Sequence, residues 1–140
     1  MLETSTLERT VGLIRAALPA VEAVYLFGSF ASGDETPESD VDIALLLTIA
    51  ESKALGNLYG SDLHRALEGQ FMRDIDLVNL RQVSTVLQMQ VISKGQLIFE
   101  GDLYTRQTFE MYTLSFYQKL NEERAEILES LYETGRAYAV

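Results

Sequence analysis

The sequence predicts an α/β (α+β) fold in which a small mixed β-sheet of three to four strands is flanked by helices. Two observations predict it. Apolar runs of strand length alternate along the chain with stretches whose apolar residues recur at helical spacing. The run 41–47 is almost wholly apolar, which is typical of a strand covered on both faces. A chain of 140 residues with 47% apolar content suits a single domain, 1–140, with its own core.

Each element follows from a local pattern. Apolar residues at helical spacing begin the chain and end at Pro19, and Gly and Pro residues separate the later runs. In order, the predicted elements are a helix at 6–18, a strand at 24–27, a short helix within 28–33, a loop at 34–39, a strand at 41–47, an interrupted helical stretch at 51–67 that Gly69 ends, a strand at 73–80, a helix at 84–93 followed by Gly95, an edge strand at 96–100, and a long closing helix from Tyr104 to about Tyr132 within a C-terminal helical segment, 104–140.

Composition narrows the classes of function. The net charge is −10 and the eleven basic residues are scattered, which argues against direct nucleic-acid binding and favours a basic partner. The chain has no cysteine, and hence neither a disulfide framework nor a thiolate metal site. No apolar run reaches the roughly 20 residues of a membrane span. The N-terminal residues do not resemble a signal peptide, so we expect a cytoplasmic protein.

The stretch from Leu26 to Asp42 is the most informative part of the chain. A Gly28-Ser29 turn follows one predicted strand, and Asp40 and Asp42 begin the next. Alternate residues on a strand point to the same face, so the two carboxylates project side by side. Like charges at that separation favour a proton or a cation between them. The pattern predicts a divalent-metal site beside a turn able to approach phosphate oxygens.

A solvated acidic loop is the alternative interpretation of this stretch. A lone D-x-D motif most often has that plain meaning. Here Asp42 leads directly into a buried strand, and no Lys or Arg lies between Tyr25 and Glu51 to neutralise the acids. We therefore favour the functional interpretation.

A third carboxylate comes from the strand predicted at 73–80. Asp74 and Asp76 lie on one face of this strand, which can lie beside the strand at 41–47. We choose Asp76 to complete a triad with Asp40 and Asp42, because the strand continues beyond it. Asp74, next to Arg73 at the strand entrance, is the alternative.

The combination of Gly28-Ser29, Asp40-x-Asp42 and a later Asp76 resembles the DNA polymerase beta-type nucleotidyltransferase superfamily, and within it the minimal nucleotidyltransferases. The resemblance implies a Mg²⁺-dependent transfer of AMP from ATP, with two metal ions. Asp40, Asp42 and Asp76 would be the catalytic and metal-binding residues, and Gly28 and Ser29 would cradle the phosphates. Oxygen ligands favour Mg²⁺ over zinc.

Members of this class commonly serve as antitoxins. The resemblance implies that AMP is transferred to a tyrosine of a partner HEPN ribonuclease toxin, which neutralises it. Two alternatives stay open, namely an antitoxin that only masks the toxin, and a transferase that acts on a small molecule. In related chains the turn often holds an arginine where this chain has Ser32, so catalysis is expected to be weaker unless Arg65, Arg73 or Arg81 substitutes.

Two further features bear on function. His64 is the only histidine and is expected to be a surface or helix-side residue without a functional role. The closing helix has many tyrosines and stays apolar beyond the length that a small sheet can cover. We expect Tyr117–Tyr138 to contact a partner or to mediate self-association. Part of its face, with Phe109, Tyr112, Phe116 and Leu120, is expected to pack on the sheet.

Overall fold

The computed structural model of the chain describes residues 2–134. Six helices and four strands follow one another, with a 3-10 turn at Leu80–Gln82. The helices are α1 (Thr4–Ala17), α2 (Ser29–Ser32), α3 (Ile49–Leu55), α4 (Asp62–Phe71), α5 (Thr85–Lys94) and α6 (Leu103–Thr134). The strands are β1 (Ala23–Phe27), β2 (Val41–Leu46), β3 (Ile75–Asn79) and β4 (Gln96–Glu100). The predicted mixed sheet with flanking helices and a long C-terminal helix is confirmed.

The strands form one sheet in the order β3-β2-β1-β4. The central pair, β1 and β2, is antiparallel, as is β1 with β4, whereas β2 and β3 are parallel. A parallel neighbour requires a crossover connection, and α3 and α4 supply it between β2 and β3. The sheet therefore places the start of β2 and the start of β3 at the same edge as the end of β1.

Because successive side chains of a strand point to opposite faces of the sheet, a hydrophobic core forms on each face. On one face, Val41, Ile43 and Leu45 of β2 belong to a buried cluster with residues of α1 and α4. On the other face, Ala44 and Leu46 belong to a second cluster with residues of α5 and α6. Burial of β2 on both faces confirms the interpretation of its apolar run and explains the three-layer arrangement.

Helix caps fix several boundaries. Thr48, Ser61 and Ser84 each accept a backbone N–H of the following turn at their helix N-termini. Gly69 does not end α4 as predicted: the helix continues to Phe71 and closes on Met72 in the left-handed conformation. A glycine inside a helix costs only about 1 kcal/mol, which the contacts of α4 with α1 and β3 offset.

His64 is buried rather than on the surface. Its Nδ1 accepts the backbone N–H of Gly60 at 3.1 Å, so the proton lies on Nε2, which donates to the Ile75 carbonyl at 2.8 Å. The ring thereby fastens α4 to the start of β3. His64 is therefore a buried residue on the side of α4 and not a surface residue, and its lack of a functional role stays a prediction.

Helix α6 packs on the rest of the chain only near its beginning. Phe109 and Thr113 are its buried residues among those described, and its contacts are chiefly with α5. Tyr112 and Phe116 are more than half exposed, so the predicted packing of this face holds for Phe109 but not for them. Residues 135–140, including Tyr138, lie outside the described residues. No helix within residues 2–134 combines the length and apolarity needed to cross a membrane.

Candidate active site

The Gly-Ser turn connects β1 to α2, and only glycine fits at its position 28. Gly28 has φ +70°, a region that side-chain-bearing residues rarely adopt, and α2 begins at Ser29. A Cβ added at Gly28 would lie 2.0 Å from Asp42 Oδ2. The turn therefore depends on glycine twice, for its conformation and for the space that the Asp42 carboxylate occupies.

Asp42 lies between the turn and the third carboxylate. Its strand register pairs it with Phe27 of β1 on one side and with Asp76 of β3 on the other. Neighbouring strands are about 4.8 Å apart, so the two acids face the same side of the sheet as direct neighbours. In this register the neighbour of Asp42 is Asp76, whereas Asp74 lies before β3 begins.

The electrostatics of Asp42 reflect this crowding. Burial, together with the negative charges of Asp76 and Asp40, raises the pKa of its carboxyl to about 6. The folded protein therefore stabilises the ionised form of Asp42 less well than water does, and a nearby cation would offset this cost. The described residues bring no Lys or Arg into an ion pair with it.

Asp40 ends an exposed loop that Arg73 holds in place. The Arg73 guanidinium lies 3.0 Å from each of three carbonyl oxygens, those of Thr36, Pro37 and Ser39, and it stacks over the Phe30 ring at 5.1 Å. A cation that donates to three backbone carbonyls fixes the path of the loop up to Asp40. Arg73 is thus a positioning residue that sequence reasoning named only as a possible replacement for the missing arginine.

Removing the Arg73 side chain should loosen the loop at 34–39. We expect Arg73→Ala to lower the free energy of unfolding by about 1–3 kcal/mol, because several carbonyls lose a charged donor. Urea denaturation measures this change, and limited proteolysis should show faster cleavage within 34–39. Arg65→Ala is the matched control, since Arg65 is largely exposed and its side chain pairs with Asp62 alone among residues 2–134. Equal effects of the two variants would contradict the role of the Arg73 hydrogen bonds in holding the loop.

The other candidate arginines lie elsewhere. Arg65 is on the surface of α4, and Arg81 donates to the Leu47 carbonyl at 2.7 Å and to Glu22 at 3.0 Å. Leu47 follows the far end of β2, about 16 Å along the strand from Asp42. At the position of the missing arginine, the Ser32 hydroxyl donates to the Ser29 carbonyl or to the Asp34 carboxylate. Of the three arginines, only Arg73 lies next to the loop that bears Asp40.

Comparisons with known proteins agree with this geometry. Residues 13–104 match the family model "Polymerase beta, Nucleotidyltransferase". The chain is 34% identical over 131 residues to the protein adenylyltransferase MntA of Shewanella oneidensis, covering 94% of this chain and 91% of the relative.

Solved structures of toxin–antitoxin complexes are similar as well. A toxin–antitoxin crystal structure with AMP-PNP aligns with a TM-score of 0.75 and 33% identity, covering 90% of this chain and 98% of the other. A structure of the tri-AMPylated Shewanella oneidensis HEPN toxin in complex with an MNT antitoxin aligns with a TM-score of 0.72 and 30% identity, covering 94% and 99%.

The range 13–104 contains the positions of the Gly-Ser turn and of the three aspartates, and the similarity to the adenylyltransferase covers 94% of the chain. The resemblance inferred from the motif is confirmed. This chain belongs to the polymerase beta-type nucleotidyltransferase family, and within it to the minimal nucleotidyltransferases.

Proposed function

We propose that this protein transfers AMP from ATP to a tyrosine hydroxyl of a partner HEPN toxin and so neutralises the toxin. The observation that carries the proposal is the site itself, in which Gly28 lies against the Asp42 carboxylate and Asp42 pairs in register with Asp76. Similarity to an adenylyltransferase, and to an antitoxin in complex with an AMPylated toxin, supports the same reaction.

Mg²⁺ fits the chemistry of the donors. The three aspartates offer carboxylate oxygens only, and a bound cation would offset the burial and the neighbouring negative charges that raise the pKa of Asp42. Within residues 2–134, no three side chains of acidic, histidine or cysteine type form a preformed metal cage. Mg²⁺ usually binds through one or two carboxylates together with substrate phosphates, so a cage is not required. Asp40, Asp42 and Asp76 would hold the metal, with two ions as the family resemblance implies.

The residues of the site have separate roles in the transfer reaction. Gly28 and Ser29 bind the terminal phosphates of ATP, and the acceptor hydroxyl approaches the α-phosphorus beside Asp42 and Asp76. The bond from the hydroxyl oxygen to the α-phosphorus forms as the bond from that phosphorus to the pyrophosphate oxygen breaks. Asp76, the exposed acid of the pair, accepts the proton of the hydroxyl. Bound Mg²⁺ supplies neutralisation of the phosphate charge and a lower pKa for the acceptor hydroxyl.

The mass of the partner toxin tests the reaction directly. Co-expression with the toxin should add one or more AMP units to the toxin, and the Asp76→Asn variant should add none. A toxin that is neutralised without any mass change would support masking instead. AMP found on a small molecule, with an unmodified toxin, would support the third alternative.

The distal half of α6 is the partner surface that we propose. Apolar residues recur along it at spacings of three, seven and four residues, at Tyr117, Leu120, Ile127 and Leu131, and Leu128 and Tyr132 are largely exposed. Several glutamates flank the stripe, at 122, 123, 126, 129 and 133. Repulsion between two such acidic helices disfavours self-association and favours a partner helix with basic residues.

Truncation after Leu120 separates binding from folding. Because the described residues beyond Leu120 make few contacts with the rest of the chain, we expect the melting temperature to change by only a few degrees. Affinity for the toxin should fall at least tenfold, as measured by calorimetry. Leu128→Asp serves as a point variant with the same expected direction. Loss of folding together with binding would contradict this assignment.

Ser32 bears on the KM for ATP rather than on the kind of reaction. We expect Ser32→Arg to lower the KM for ATP, because an added cation on α2 would lie near the triphosphate. Steady-state measurement of transfer at several ATP concentrations checks this expectation. An unchanged KM would show that serine at position 32 does not weaken the binding of ATP.

A further inference from the structure

The loop between α3 and α4 follows the outer edge of β3 towards the active site. At the beginning of the loop, the Gly56 carbonyl accepts a side-chain N–H of Asn79, the last residue of β3, at 2.8 Å. At the end of the loop, the His64 ring accepts the Gly60 N–H and donates to the carbonyl of Ile75, the first residue of β3. The loop is thus attached to both ends of β3, and it runs from the far end of the strand to the end that bears the active site.

Tyr59 lies in this loop with an ordered backbone and an exposed side chain. Its N–H donates to Asn57 Oδ1 at 2.9 Å, and the preceding residue, Leu58, is buried. The Tyr59 side chain is 79% exposed and rests against the His64 ring, with the two ring centroids 4.9 Å apart. Because His64 bonds the carbonyl that directly precedes Asp76, the Tyr59 ring lies within about 9 Å of that carbonyl. A tyrosine hydroxyl is therefore exposed near the acid that accepts a proton in the proposed reaction.

A tyrosine at the other end of the sheet provides a comparison. Tyr104 is 77% exposed, nearly as much as Tyr59, and it follows the far end of β4. It lines a cavity with Arg81, which follows the far end of β3. The five residues of β3 span about 16 Å, so Tyr104 lies at the opposite end of the sheet from Asp76. Tyr104 thus offers the same nucleophile and the same exposure as Tyr59 without its position near Asp76.

The proposed transfer uses a tyrosine hydroxyl as its acceptor, and Tyr59 carries that group on the same chain. A tyrosine hydroxyl lies about 6.5 Å from its Cα, so rotation of an exposed side chain between rotamers moves the hydroxyl by several ångströms. An acceptor attached to the site also reacts without a bimolecular encounter. Resting on the proposed nucleotidyl transfer, we propose that Tyr59 is a self-modification site, which receives AMP from ATP bound by the same chain.

In this step the Tyr59 side chain leaves His64 and its hydroxyl oxygen attacks the α-phosphorus of ATP. The bond from that oxygen to the phosphorus forms as the bond from the phosphorus to the pyrophosphate oxygen breaks, and Asp76 takes the hydroxyl proton. The products are a phosphodiester between Tyr59 and AMP, and free pyrophosphate. The step needs no toxin, and a bound toxin should slow it, because both acceptors attack the same α-phosphorus.

The intact mass of the full-length protein after incubation with ATP and Mg²⁺, without the toxin, tests this proposal. We expect the chain to gain the mass of one AMP unit. Trypsin releases residues 54–65 as a peptide in which Tyr59 is the single tyrosine, and tandem mass spectrometry should place the AMP there. Tyr59→Phe should lower AMP incorporation at least about tenfold, because phenylalanine keeps the ring against His64 and removes only the hydroxyl. Tyr104→Phe is the matched control and should retain full incorporation.

A mixture of two variants tests whether the transfer occurs within one chain. Asp76→Asn retains Tyr59 but lacks the proton acceptor, whereas Tyr59→Phe retains the active site and lacks the acceptor hydroxyl. The peptide 54–65 differs between the two variants, so each chain can be identified after digestion. We expect no AMP on Tyr59 of the Asp76→Asn chain in the mixture. AMP on that residue would overturn transfer within one chain.

The outcomes separate this proposal from the one on which it rests. Transfer of AMP to the toxin, with no AMP on Tyr59 when the toxin is absent, overturns the self-modification while the proposed transfer stands. Equal incorporation in Tyr59→Phe and the unaltered protein also overturns it, because another residue is then the acceptor. Absence of AMP from both the toxin and Tyr59 overturns the proposed transfer itself.

Discussion

Replacing Asp42 with asparagine should abolish AMP transfer and at the same time stabilise the metal-free protein at neutral pH. Asparagine has the same shape but no charge, so the metal and phosphates lose a principal ligand. We expect transfer of label from α-labelled ATP to fall about a thousandfold or more. Asp74→Asn, two residues from Asp76 yet outside the site, is the matched control and should retain transfer.

The stability of Asp42→Asn should depend on pH in a defined direction. A folded-state pKa of about 6, above the ordinary value of 3.8, means that the folded protein binds this proton more tightly than the unfolded chain. The stability of the unaltered protein is therefore fully present below the unfolded pKa and falls as the pH rises towards 6. Asparagine removes this loss, which amounts to about 1–3 kcal/mol above pH 6 and about half as much at pH 5.

Urea denaturation at pH 5 and pH 7.5, without metal, measures the difference. Added Mg²⁺ should stabilise the unaltered protein but not the Asp42→Asn variant, because ligand binding to the folded state raises its stability by mass action. A variant that is less stable than the unaltered protein at pH 7.5 would contradict the origin of the pKa shift. An equal response of both proteins to Mg²⁺ would contradict the metal assignment.

Gly28→Ala should be the most damaging conservative change in the turn. The new methyl group would lie within 2.0 Å of Asp42 Oδ2, and φ +70° adds backbone strain. We expect the free energy of unfolding to fall by about 2–4 kcal/mol and transfer to fall at least a hundredfold, since the carboxylate must move. Denaturation and the labelled-ATP assay measure the two effects.

Gly33→Ala isolates the contribution of strain. Gly33 has a similar positive φ of +82°, but a Cβ there would meet nothing within 4 Å. Its loss of stability should therefore be about 1 kcal/mol. Combining Gly28→Ala with Asp42→Ala removes the clashing carboxylate, so the double variant should recover part of the stability that Gly28→Ala loses. Additive losses in the two variants would show that the contact is unimportant.

The motif of this chain could be predicted from sequence because its chemistry is local. Gly28, Ser29, Asp40 and Asp42 lie within one turn and the start of one strand, and alternation alone places the two acids on one face. The role of Asp76 needed one further assumption, namely that its strand lies beside β2, and the parallel register confirms that assumption. What these residues hold in catalysis stays a prediction for the experiments above.

Contacts between residues that lie far apart in the sequence could not be predicted from its pattern of apolar and polar residues. Nothing in the sequence indicates that Arg73 would bond three carbonyls of the loop before Asp40, since these residues are more than 30 positions apart. The burial of His64 depends on the Gly60 N–H and the Ile75 carbonyl that its ring meets. The exposure of Tyr112 and Phe116 likewise depends on where α6 leaves the sheet, which helical spacing alone does not specify.

The sequence by itself determined the order of strands and helices, the buried central strand, the Gly-Ser turn and its paired aspartates, because each depends on neighbouring residues and on the periods of helix and strand. The tertiary structure decided which carboxylate lies beside Asp42, why the turn requires glycine at position 28, and how Arg73 fixes the loop before Asp40. Each of these depends on atoms from separate strands and helices meeting within a few ångströms, and only the folded chain brings them together.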